Sequence, residues 1–248
     1  MSELRNKMKM DLEIRGYSPT TTKYYLRNVS NFAKYFNKSP ELLGEDEIRK
    51  YLHYCSTEKH LSEGTINTIH SALKFVYTKT LGRAWNTDNT PRMKEGRKLP
   101  VVLSKTEVKS ILDITKNLKH KAILMTIYAA GLRVSEGAKL KINDIDSKNK
   151  QIIVRQGKGK KDRYVMLSDN NLKILRLYWK KYQPETFLFP GKDPTRPISS
   201  RTIEKVIVAS AKKAGIKKNV TVHTMRHYVE CFIMVSVTPQ DQLLNNLV

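Results

Sequence analysis

QIIVRQGKGKKDRYVML, running from Gln151 to Leu167, is the stretch that decides the fold. Its two ends, Gln151 to Arg155 and Arg163 to Leu167, are short and β-prone, and between them lies a basic, glycine-containing tip, Gln156 to Asp162. That pattern predicts an antiparallel hairpin. On both sides of it the apolar residues recur at helical spacing instead. A helix is expected through Ile123 to Lys139, and others over Asp169 to Tyr182, over Ser199 to Ala214 with Gly215 as its stop, and from His223 onward. The second part of the chain therefore reads as mostly helical with one small antiparallel sheet.

Towards the N-terminus, Ser104 with Glu107 three residues on forms a capping-box signature, and Leu103 is placed to staple against Val108. Before it, Asn86, Asp88, Asn89, Pro91, Arg92, Lys94, Glu95 and Gly96 lead to Pro100 without apolar rhythm. Residues 89–100 are therefore expected to be a linker. Residues 1–88 read as a small helical bundle. Ser18 and Pro19 look like a cap and first turn, with Leu26, Val29, Phe32, Ala33 and Phe36 following at helical spacing. Ile48, Leu52 and Cys55, then Ile66, Ile69, Leu73 and Val76, repeat the pattern over Glu45 to Glu58 and Thr65 to Thr80. Residues 101–248 form the second domain.

The 248 residues carry 46 Lys and Arg against 23 Asp and Glu, a net charge of +23, which points to a polyanionic partner. Residues 1–90 hold 14 basic and 10 acidic side chains, and residues 91–248 hold 32 and 13, so the second part should make most phosphate contacts. Cys55 and Cys231 have no second Cys or His at ligand spacing, so neither a disulfide framework nor a metal site is expected. The apolar run near Ile123 to Leu132 is too short to cross a bilayer, and Met1 to Arg15 lacks the apolar centre of a signal peptide. A cytoplasmic protein with no membrane partner is the expectation.

Three groups of residues offer chemistry. Arg133 and Glu136, three apart, can share one helix face, either as an ordinary surface ion pair or as a guanidinium oriented by a carboxylate. Lys158, between Gly157 and Gly159, sits at the hairpin tip, which is either a solvated turn or an arm that presents an ammonium group to a phosphate. His223 and Arg226 fall on one face of a helix start, a place suited to phosphate, although a His-x-x-Arg match alone is weak.

Order and spacing change that judgement. Gly131 to Glu136, then the hairpin with Gly157 to Arg163, then Phe187, Leu188, Phe189 and Pro190, then His223 to His227, together resemble the catalytic domain of tyrosine recombinases of the integrase family, such as the Xer proteins and integron integrases. Gly16, Tyr17, Ser18 and Thr20 to Tyr25 are similar to the opening of the family's core-binding domain. The resemblance implies a mainly α fold: a helical, SAM-like core-binding domain and an α-rich catalytic domain with a small antiparallel sheet, forming a C-shaped grip around duplex DNA. It also implies phosphoryl transfer through a phosphotyrosyl link, with no cofactor or metal, and other recombinase protomers as partners, a tetramer in the family. Residue by residue, Arg133 and Arg226 would clamp the scissile phosphate. Glu136 would support Arg133, His223 would assist proton transfer, and Lys158 would protonate the leaving 5′-oxygen. Lys160, Lys161 and Arg163 would contact DNA.

The sequence departs from the family after Arg226. A Leu-Gly-His string and the nucleophilic Tyr about nine residues later would fall near or past Val248. Glu230 to Met234 and Pro239 also replace the small and apolar pattern expected there. The expectation is a chain without its own nucleophile. Either a truncated site-specific recombinase, a partner that supplies the tyrosine in trans, or an inactive DNA-binding remnant or regulator of a full-length recombinase would fit.

Overall fold

The computed structural model describes residues 3–86, 90–94, 96, 101–155, 157 and 161–225. The chain divides into two compact units, Met1–Lys98 and Leu99–Val248, each with its own buried core.

In the first unit, α1 (Glu3–Ile14), α2 (Pro19–Phe36), α3 (Glu45–Thr57) and α4 (Glu63–Phe75) follow in order, and α4 runs on through a π-helical turn, Val76–Thr80. Ser18 caps α2 by accepting the Thr21 N–H at 3.1 Å, and Asn37 closes it in the left-handed region at φ 51°. The charge-studded opening of the chain is itself a helix because Leu4, Met8 and Leu12 recur every fourth residue and all three are buried. They join Phe32, Ile48, Ile66 and Leu73 in one apolar cluster, where Phe32 meets Tyr51 edge to face at 5.3 Å. Cys55 is buried in this core. Beyond α4 the chain is strapped back onto it. The Asn67 side chain donates to the Met93 carbonyl and accepts the Met93 N–H, both at 3.0 Å, and His70 Nε2 lies 2.7 Å from the Thr90 carbonyl.

The second unit opens with α5 (Lys105–Ile114), capped as the sequence predicts: Ser104 Oγ accepts the Glu107 N–H, and Glu107 accepts the Ser104 N–H at 2.7 Å. Leu103 and Val108 are both buried in the core beneath it. Next, α6 (Leu118–Ala129) and α7 (Val134–Lys139) occupy the span expected as one helix through Lys139. That expectation is corrected by a Schellman motif. Gly131 takes φ +58°, the Leu132 N–H reaches back to Ile127 O at 3.0 Å, and Leu132 is fully buried. The continuous apolar spacing hid the break, because Leu132 serves the core from the turn as well as it would from a helix.

A 3-10 turn at Ile142–Asp144 leads into β1 (Ile145–Asp146), β2 (Gln151–Val154) and β3 (Arg163–Met166), an antiparallel sheet in that order. The hairpin is where the sequence places it, and β1 adds a third strand too short to show in the pattern. Ile152 and Val154 of β2 point into the core, each contributing about 1.5–3 kcal/mol through burial. The register pairs Ile152 with Val165 and Val154 with Arg163, so Arg163 shares the inward face. Tyr164 and Met166 point outward and are exposed. The sheet is followed by α8 (Asp169–Tyr182), capped by Ser168, and α9 (Ser200–Lys213), capped by Ser199. A helical turn at 222–225 closes the described part. The fold is thus mainly α with one small antiparallel sheet.

Candidate active site

The site is built where α7 begins. Because Gly131 turns the chain out of α6, Arg133 becomes the N-cap of α7, with φ −70° and ψ 152°, instead of a residue within a helix. Glu136 is then the third residue of α7. Its Oε2 accepts the Arg133 backbone N–H at 2.8 Å, and its Oε1 accepts Nη1 of the Arg133 guanidinium, also at 2.8 Å. Arg163 approaches the same carboxylate from β3. Its Nη1 meets Oε1 at 3.0 Å and its Nη2 meets Oε2 at 2.8 Å, a bidentate fork.

Four hydrogen bonds fill the acceptor capacity of Glu136. The carboxylate is nearly buried, at 6% side-chain exposure. Burial pushes its pKa up, but the hydrogen bonds from Arg163 and from the Arg133 N–H and guanidinium outweigh that and hold it at about 2. An ionised, saturated carboxylate of this kind is a support and not a proton carrier. Arg133 commits one of its five N–H groups to it and keeps 37% side-chain exposure.

Gly157 completes the cluster. Its N–H donates to the Lys161 carbonyl at 3.0 Å, closing the base of the hairpin tip, and the Lys161 side chain is exposed beyond it. Lys158, Lys160 and Arg226 lie outside the described residues. His223 is exposed at the start of the 222–225 turn, between buried Val222 and buried Thr224. Thr221 caps that turn: its Oγ1 accepts the Thr224 N–H at 3.3 Å while Thr224 Oγ1 accepts the Thr221 N–H at 3.0 Å. The described residues thus gather Arg133, Glu136, Arg163 and Gly157 into one cluster, and place His223 on a separately capped turn of the same unit.

Residues 101–242 match the phage integrase family, and residues 4–87 match the phage integrase N-terminal SAM-like domain. The chain belongs to the phage integrase family. Relatives of this chain include the candidate integrase/recombinase y4qK of Sinorhizobium fredii, 43% identical over 228 residues, covering 92% of this chain and 74% of that one. Tyrosine recombinase XerA of Pyrococcus horikoshii is 32% identical over 229 residues, covering 91% of this chain and 78% of that one. In fold, the chain is similar to a lambda integrase dimer bound to a core site, with a TM-score of 0.76 at 16% identity over 96% of this chain and 90% of that one.

Among the described residues, no cluster of His, Cys, Asp and Glu could hold a metal ion, and no helix is long and apolar enough to cross a membrane. The sequence missed the partner of Arg163. Its signal was the alternation in β3, which sets Arg163 and Val165 on one face and Tyr164 and Met166 on the other, but the inward side is known only once Val154 is paired with Arg163.

Proposed function

We propose that this chain is a site-specific DNA recombinase module, working in the cytoplasm on double-stranded DNA alongside other recombinase protomers. Residues 1–88 act as the core-binding domain, residues 89–100 as the linker, and residues 101–248 carry the strand-transfer site. Arg133 and Arg226 hold the non-bridging oxygens of the scissile phosphate and neutralise the charge of the pentacoordinate transition state. His223 hydrogen-bonds the same phosphate and assists proton transfer, and Lys158 delivers a proton to the departing 5′-oxygen. The bond energy of the phosphodiester is retained in a phosphotyrosyl link, so the reaction calls for neither nucleotide nor metal. No tyrosine within residues 1–248 is assigned as the nucleophile.

The observation that supports this reading best is the Arg133–Glu136 pair at the head of α7, a guanidinium held by a saturated carboxylate yet still partly exposed. An arginine held this way is prepared for an oxyanion, because little reorganisation is left when charge develops. The test is a suicide DNA substrate carrying the recombination site, incubated with the purified chain and with a full-length relative that supplies the tyrosine. Covalent protein–DNA adduct is expected only on the relative. An adduct mapped to a tyrosine of this chain would overturn the assignment of the nucleophile.

A further inference from the structure

Arg163 stands on the strand that leaves the hairpin tip, in a run of Lys and Arg that invites a DNA-contact reading. The register offers its side chain another role, since pairing with the buried Val154 turns Arg163 to the inner face of the sheet. There it occupies one acceptor position on each Glu136 oxygen, and Arg133 takes the other two. The carboxylate cannot rotate without breaking bonds to both arginines. Its plane, and with it the direction in which the Arg133 guanidinium is held, is set jointly by the α7 backbone and by the fork of Arg163.

Gly157, on the opposite limb of the hairpin, carries the argument further. A Cβ on it would stand 2.6 Å from Arg163 Nη1 and 3.4 Å from Glu136 Oε1. The guanidinium–carboxylate pair therefore lies directly against the backbone of the residue that precedes Lys158. Only glycine leaves room for that approach. Lysine at 163 would not reproduce the arrangement, because an ammonium group lacks the planar pair of N–H donors that engages both oxygens.

We propose that Arg163, Glu136 and Gly157 form a lock that fixes the direction of Arg133 relative to the hairpin, with Arg163 acting as a positioning residue and not as a phosphate contact. The lock couples the two limbs of the tip to the arginine at the head of α7, so a displacement of the hairpin is transmitted to the clamp. This rests on the assignment of Arg133 to the scissile phosphate.

The test combines two readouts on the whole chain, neither of which needs strand cleavage. Guanidinium rotation of Arg133 is followed by NMR on arginine-labelled protein, and affinity for a short duplex of arbitrary sequence is measured against salt concentration. In Arg163→Lys, rotation of the Arg133 guanidinium is expected to speed up several-fold, and in Arg163→Gln, which removes the charge as well as the fork, duplex affinity is expected to stay within about twofold at an unchanged salt slope. Gly157→Ala, which displaces the guanidinium without removing it, should free Arg133 in the same way and serves if Arg163→Lys fails to fold. Unchanged Arg133 rotation in the folded variants would overturn the lock. So would a salt slope lowered by about 0.9 in Arg163→Gln, the mark of one lost phosphate contact. Wild-type protein that binds no duplex would instead overturn the recombinase reading, and the rotation measurement would still decide the lock.

Discussion

Glu136 is the residue on which the site turns, because a nearly buried carboxylate between two guanidinium groups has to stay ionised for either arginine to keep its place. Its pKa of about 2 lies below the ordinary 4.5, so the stabilisation it brings is fully present above about pH 4.5 and is lost as the pH falls towards 2. That contribution amounts to roughly 3 kcal/mol. Glu136→Gln should therefore destabilise the second unit by about 2–4 kcal/mol at neutral pH, the range for breaking a buried pair reduced for guanidinium groups that stay one-third exposed. Urea unfolding should show the gap between wild type and variant narrowing by about 1.4 kcal/mol per pH step below 4.5. A gap that does not change with pH would mean that the carboxylate is not held ionised by the fold. The Arg133–Glu136 pair was legible in the sequence because three residues separate its members. The bond from Arg163 was not, since its partner stands 27 residues away and only strand register brings them together.

Among the elements, the break between α6 and α7 matters most for the site. Gly131 at φ +58° lets Leu132 fall into the core and delivers Arg133 to the N-cap of α7, where its backbone N–H meets Glu136. Gly131→Ala places a side chain in the left-handed region and should cost about 1–2 kcal/mol. In urea, its midpoint should fall at unchanged slope. A variant as stable as wild type would show that α6 can run on through the turn. Two helix starts were readable because their caps are local: Ser18 with Pro19 and Ser104 with Glu107 depend on residues within one turn. The α6–α7 break and β1 were not. The first is masked by an apolar run that satisfies the core in either conformation, and the second consists of two residues whose pairing with Gln151 and Ile152 is a tertiary fact.

At the scale of the whole molecule, each unit closes its own apolar core, and the division between them, after Lys98, falls within the polar stretch from Asn86 to Pro100. The charge is divided as unevenly as the chemistry, with most of the +23 carried beyond residue 90, in the part that holds Arg133 and the hairpin. Composition made the polyanion visible at once, whereas the direction of any one cation depended on packing. Arg163 shows this most clearly, being basic by sequence and inward by structure. The measurement that bears most directly on the account is duplex DNA affinity against salt for wild type and Arg133→Ala. With roughly six to ten phosphates neutralised, wild-type affinity should fall about a thousandfold or more from low to near-physiological salt. Arg133→Ala should lower the slope by about 0.9. A flat wild-type titration, or the same slope in both proteins, would contradict the claim that Arg133 faces a phosphodiester of duplex DNA.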